Sequence, residues 1–163
     1  SHKESIIIMP AYHSSLNDTN ARQVCSMAIL PIKTAYKGPA PPIPAGQQAQ
    51  IDVIDEAIDF FKANVMFRNY DVQGPADRVL VYLTLFIHLC LTKIANKSNF
   101  SLGGFVTNPA SRSDADVIRQ YLTQIRSECG KRLCDFVYAQ NENKPDKFWM
   151  MWTKRKFLNT TLA

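Results

Sequence analysis

From Val79 to Leu91 the chain runs through about thirteen consecutive residues that are apolar on almost every side, broken only by Thr84 and His88. The run is shorter than the roughly 17–25 residues needed to cross a bilayer, so no membrane span is expected. A helix that is hydrophobic all round must be surrounded by other elements. The stretch therefore predicts a central helix from Pro75 to about Ala95, with Pro75 suited to its first turn. A chain of 163 residues is long enough to bury such a helix in one domain.

The neighbouring periodicities supply the cover. Ile54, Ala57, Ile58, Phe61 and Val65 recur at helical spacing and predict a helix over Asp52–Asn69. Its opening acids Asp52, Asp55 and Glu56 suit the positive end of the helix dipole. Asn96–Arg112, with Gly103-Gly104 and Asn108-Pro109, reads as a loop. Ser113 then reads as an N-cap with Asp116 at the capping-box position. Val117, Tyr121, Leu122, Ile125, Leu133, Phe136 and Val137 mark one face of the helix that follows. Gly130 inside it costs about 1 kcal/mol relative to alanine and suggests a kink or a close backbone approach. A last helix is expected over about Asp146–Asn159, with Phe148, Trp149, Met151 and Trp152 on it.

The first fifty residues show little helical periodicity. The prolines between Lys37 and Pro44 favour extended backbone, so residues 9–50 are expected to form an arm laid on the helices. Met9-Pro10-Ala11-Tyr12 reads like a natural start, which marks residues 1–8 as an added or upstream extension. Three consecutive isoleucines there are too few for a secretory signal. The expected fold is all-α: an irregular bundle of about four main helices, residues 51–163, carrying an extended proline-rich N-terminal arm, one domain overall.

Chemistry is harder to find. The sequence has no phosphate-binding glycine loop, no H-E-x-x-H and no G-x-S-x-G. Cys25, Cys90, Cys129 and Cys134 form no C-x-x-C pair, and Cys129 and Cys134 point to different sides of a helix. Reduced structural thiols are the expectation, with no metal and no cofactor. His88 lacks any partner motif and reads as a bonded core histidine. The net charge of +5 raises the prospect of an acidic partner without selecting one. Lys154-Arg155-Lys156 beside Trp149 and Trp152 could contact phosphates and bases. Elsewhere the basic residues alternate with acids, unlike a strong nucleic-acid binder, and no nucleic acid is expected.

The distinctive stretches resemble a known family, subunit 3 of the actin-related protein 2/3 complex. They are Met9-Pro10-Ala11-Tyr12-His13-Ser14-Ser15, Met27–Ile32, Lys37-Gly38-Pro39-Ala40-Pro41, Asp55-Glu56-Ala57-Ile58 and Phe61-Lys62-Ala63-Asn64-Val65. Ala76-Asp77-Arg78, Tyr121-Leu122, Arg132-Leu133-Cys134, Lys144-Pro145, Trp149, Lys154-Arg155 and Phe157 continue it in the family's order. The resemblance implies a non-catalytic accessory subunit that packs on actin-related protein 3, beside actin-related protein 2 and the other subunits. Such a complex nucleates branches on actin filaments, which implies a cytoplasmic, cytoskeletal location, cell projections and the nucleus included. Between Gly104 and Arg112 the chain is shorter than the family pattern, which puts the contacts of that segment in doubt.

Hot spots of protein interfaces are rich in Trp, Tyr and Arg. The candidate partner interface is therefore Tyr12, His13, Trp149, Trp152, Lys154, Arg155 and Lys156. The competing reading makes both tryptophans internal. A free-standing adaptor and a basic nucleic-acid-binding module remain the alternative functions.

Overall fold

The computed structural model describes residues 11–96 and 112–162. Three long helices dominate: α1 (Val53–Asn64), α2 (Pro75–Asn96) and α3 (Arg112–Val137). A short α4 (Lys147–Met150) leads into two 3₁₀ turns, Met151–Lys154 and Phe157–Asn159. Ahead of α1, β1 (Gln23–Val24) and β2 (Met27–Ala28) pair as an antiparallel hairpin with Val24 opposite Met27.

α2 is the centre. It packs against α1, α3, β2, α4 and both 3₁₀ turns, and Val79, Leu80, Leu83, Leu85, Ile87 and Leu91 are at most 1% exposed. Burial on most sides, with only Val81, Leu89 and Cys90 partly exposed, explains why the sequence there shows no polar face. All five apolar positions read for α1 are buried as well. No helix among the described residues is long and apolar enough to cross a membrane.

α1 starts where expected. Asp52 is its N-cap and makes a full capping box with Asp55, each side chain accepting from the other's amide. It ends at Asn64, five residues early, because Val65 closes the last turn and the Asn64 side chain is drawn away to Tyr12.

α3 begins at Arg112, so Ser113 lies within the first turn rather than at the cap. Gly130 causes neither break nor close approach: the helix runs on through it, and a Cβ there would meet nothing within 4 Å. Phe136, expected inside, is half exposed. The expected last helix is the clearest correction. After one turn of α-helix the backbone tightens to 3₁₀, extends at Arg155 and Lys156, and turns left-handed at Leu158 (φ 53°) and Asn159 (φ 54°).

The N-terminal region is only partly an arm. Val24, Met27, Ala28, Ile29, Leu30 and Ile32 are buried in the core itself. The hairpin joining them places Cys25 (φ 51°) and Ser26 (φ 65°) in the left-handed region, the geometry of a type I′ turn. Such turns normally announce themselves as Asn-Gly, so nothing local in Val24-Cys25-Ser26-Met27 signalled it. Residues 35–51 are mostly exposed, with a cleft of ≈ 620 Å³ between the proline stretch and the loop around Leu16–Arg22. Of the loop expected over Asn96–Arg112, both end residues are helical, Asn96 in α2 and Arg112 in α3, and residues 97–111 lie outside the described residues, as do residues 1–10.

Candidate partner interface

The N-terminal candidates belong to a polar clamp. Asn64, fully buried at the end of α1, accepts from the Tyr12 amide at 2.9 Å and donates to the Tyr12 carbonyl at 3.0 Å. His13 Nδ1 donates to Asp77 Oδ2 at 2.7 Å, and the Ser14 amide donates to Asp77 Oδ1 at 2.8 Å. The Ser14 hydroxyl and the Ser15 amide donate to the two oxygens of Glu56, at 2.6 and 2.8 Å. Two buried carboxylates on adjacent helices thus consume the donors of a short extended peptide. Asp77 is buried, which opposes its charge, but the Ser14 and Gln73 amides and His13 outweigh that and hold its pKa below the ordinary carboxylate range. Tyr12 keeps its ring outside, 46% exposed and stacked on Phe60 at 5.1 Å.

A second polar node fastens residues 33–52 to α3. Arg132 donates to both Asp52 oxygens at 2.8 Å, to Asp55 at 3.0 Å, to Glu128 at 2.8 Å and to the Lys33 carbonyl. The side chain of Asp52 is 0% exposed. Burial alone would raise its pKa, yet Arg132 and the Lys33 and Asp55 amides hold it below the usual range. One and two turns back along α3, Glu128 accepts from Thr34, and Gln124 accepts from the Ala40 amide while donating to the Tyr36 carbonyl. These residues are the ones local sequence reasoning missed. Asp52, Asp55 and Glu56 suit the dipole as expected, but their partners outside α1 lie 19 to 80 positions away in the chain, beyond the reach of any periodicity.

The C-terminal candidates divide. Trp149 is 8% exposed, with its ring 6.2 Å from Phe61, 6.4 Å from Phe136 and under the Lys62 ammonium at 4.7 Å. It is packed into the bundle, and its neighbours Phe148 and Met151, 62% and 60% exposed, face outward instead. Trp152 is half-buried. Lys154, Arg155 and Lys156 are all exposed, on the stretch where the helix gives way. His88 donates from Nε2 to the Thr153 carbonyl at 3.0 Å, pinning that stretch to α2. Burial, helped by the charge of Lys156, depresses its pKa against the pull of that hydrogen bond.

Among the described residues no group of three His, Cys, Asp or Glu could hold a metal ion. Burial pushes the Cys90 thiol up to about 12 and Cys129 well above its ordinary value, which keeps both protonated and poorly nucleophilic.

The family described as P21-Arc, the ARP2/3 complex ARPC3 (21 kDa) subunit, matches residues 9–99 and 94–162. The chain belongs to this family. Among curated P21-Arc relatives, actin-related protein 2/3 complex subunit 3 of Dictyostelium discoideum is 48% identical over 175 residues, covering 93% of this chain and 99% of that protein. The Schizosaccharomyces pombe protein of the same name is 41% identical, covering 94% and 100%. The Arabidopsis thaliana protein of that name is 34% identical, covering 93% and 98%. An alignment of 175 residues against a chain of 163 leaves residues of the relative without counterparts here. The two matched stretches overlap at residues 94–99.

Proposed function

We propose that this chain is a non-catalytic accessory subunit of an actin-related protein 2/3 complex. In that role it packs on actin-related protein 3, beside actin-related protein 2 and the remaining subunits, and supports nucleation of branched actin filaments. Its place is then the cytoplasmic actin cytoskeleton, cell projections included. The observation that carries this reading is identity of 34–48% over nearly the whole length of proteins bearing the subunit's name.

The surface proposed for partners is made of Tyr12, His13, Trp152, Lys154, Arg155 and Lys156, with Trp149 supporting it from beneath. Aromatic rings and an arginine supply anchors, and the lysines act more on encounter rate than on affinity. Residues 9–50 and 51–163 act as one unit in this reading, because the clamp on Glu56 and Asp77 and the node at Arg132 both tie the first segment to the second.

The test is a pull-down of the tagged full chain from cytosol with identification of the co-purifying proteins. Recovery of two actin-related proteins with the other accessory subunits is expected. Recovery of nucleic acid or of one unrelated protein would overturn the proposal. Alanine at Tyr12 or Arg155 that leaves assembly unchanged would remove that residue from the interface.

A further inference from the structure

Both ends of the described chain touch the side chain of Tyr70. Tyr70 lies in the connection between α1 and α2, and its hydroxyl donates to the Tyr12 carbonyl at 2.8 Å. Its ring is 4.8 Å from the His13 ring and meets Phe157 edge-on at 5.8 Å. In the same connection the Phe67 carbonyl accepts from the Leu158 amide at 2.9 Å. Among the described residues, no hydrogen bond or ring contact joins residues 12–17 directly to residues 147–162. Residues 67–70 supply one link between them; α1 supplies another, with Phe60 and Asn64 against Tyr12 and with Phe61 and Lys62 against Trp149.

The C-terminal side of this link is strained. Leu158 and Asn159 both sit in the left-handed region without being glycine. Such backbone persists only when surrounding contacts over-determine it. Here those contacts are Phe157, 1% exposed against Tyr70, the Leu158–Phe67 hydrogen bond and the buried Leu162. Loss of the Tyr70 side of that grip frees the strain, and loss of Phe157 frees the ring that holds Tyr12 and His13.

We propose that Tyr70 couples the docking of the two chain ends, so that a protein partner gripping Tyr12 and His13 and one gripping Lys154–Lys156 reinforce each other. Coupling of this kind is reciprocal: whatever one partner adds to the other's affinity, the other returns. Only the use of the coupling by partners rests on the proposed function; the coupling itself is a property of the free chain.

Hydrogen exchange on the full chain separates the two. Phe157→Ala removes the ring that meets Tyr70 edge-on. It is expected to raise exchange of both those amides, normally donated to Asp77 and Glu56, by about tenfold. The Lys33 and Ala40 amides, bonded to Asp52 and Gln124 away from Tyr70, should not change. Should Phe157→Ala fail to fold, Phe157→Leu keeps most of the volume and gives the same pattern at about threefold. Unchanged Ser14 and Ser15 amides alongside a faster Leu158 amide would overturn the coupling. A uniform rise that includes Lys33 and Ala40 would overturn it too, since it reports global loss of stability. Failure of the assembly reading shows instead in the pull-down, with the exchange pattern intact.

Discussion

Residues 33–52 and residues 147–162 are both irregular segments laid against the helices, yet they are fastened by opposite chemistry. The first is held by charge and hydrogen bonds: Asp52, Thr34, Ala40 and Tyr36 meet Arg132, Glu128 and Gln124 along α3. The second is held by buried apolar side chains, Trp149, Phe157 and Leu162, with His88 as its polar pin. A proline-rich segment has too few apolar side chains to bury and must satisfy its backbone through others' side chains. An aromatic segment drives its own docking and tolerates broken helical geometry in exchange. The lesson is that polar attachment depends on geometry and pH at a few atoms, whereas apolar attachment depends on volume.

The comparison breaks most visibly at its two anchors. Arg132→Ala leaves Asp52 buried without its partner and is expected to cost about 3–5 kcal/mol. Protection of the Lys33 and Ala40 amides should fall while the Trp149 fluorescence spectrum stays native-like. Trp149→Ala removes a large buried ring and should cost a comparable ~3–5 kcal/mol in urea unfolding, with the Arg132 node retained.

A smaller effect tests how closely the proline segment lies on α3. A Cβ at Gly38 would come within 2.4 Å of Gln124 Oε1 and 2.8 Å of its Cβ. Gly38→Ala should therefore displace Gln124 from the Ala40 amide and the Tyr36 carbonyl, destabilising by about 1–3 kcal/mol. Smallest is Gly130→Ala, which has open space and a helical backbone. It should stabilise α3 by about 1 kcal/mol, read as a raised urea midpoint with an unchanged slope.

The contrast between the segments also explains what could be read in advance. α2 and the buried face of α1 were legible because their apolar spacing is local and most of those side chains are buried. Asp146 marks the start of the last element correctly, and its side chain caps Phe148. The collapse of that element into 3₁₀ turns was not legible: no Pro or Gly interrupts residues 147–159, and the left-handed Leu158 is imposed by contacts with Phe67 and the core. Likewise the C-terminal basic run was visible as a candidate, while the clamp on Glu56, Asn64 and Asp77 was not. Those three look like ordinary helix-surface residues until Tyr12–Ser15 is folded onto them.

The most direct test of the two modes of fastening is an acid titration of protection factors, read amide by amide on the full chain. For His88 the folded pKa is depressed, so its contribution is present above the ordinary histidine value near 6.5 and fades as pH falls through the lower folded value. For Asp52 the folded pKa is also depressed, but its contribution fades only below the ordinary carboxylate value near 3.9. The Leu158 and Arg155 amides should therefore lose protection first, at mildly acidic pH, and Lys33 and Ala40 only under stronger acid. His88→Gln should remove the first step and leave the second. Simultaneous loss at all four amides, or loss at Lys33 and Ala40 first, would contradict the account.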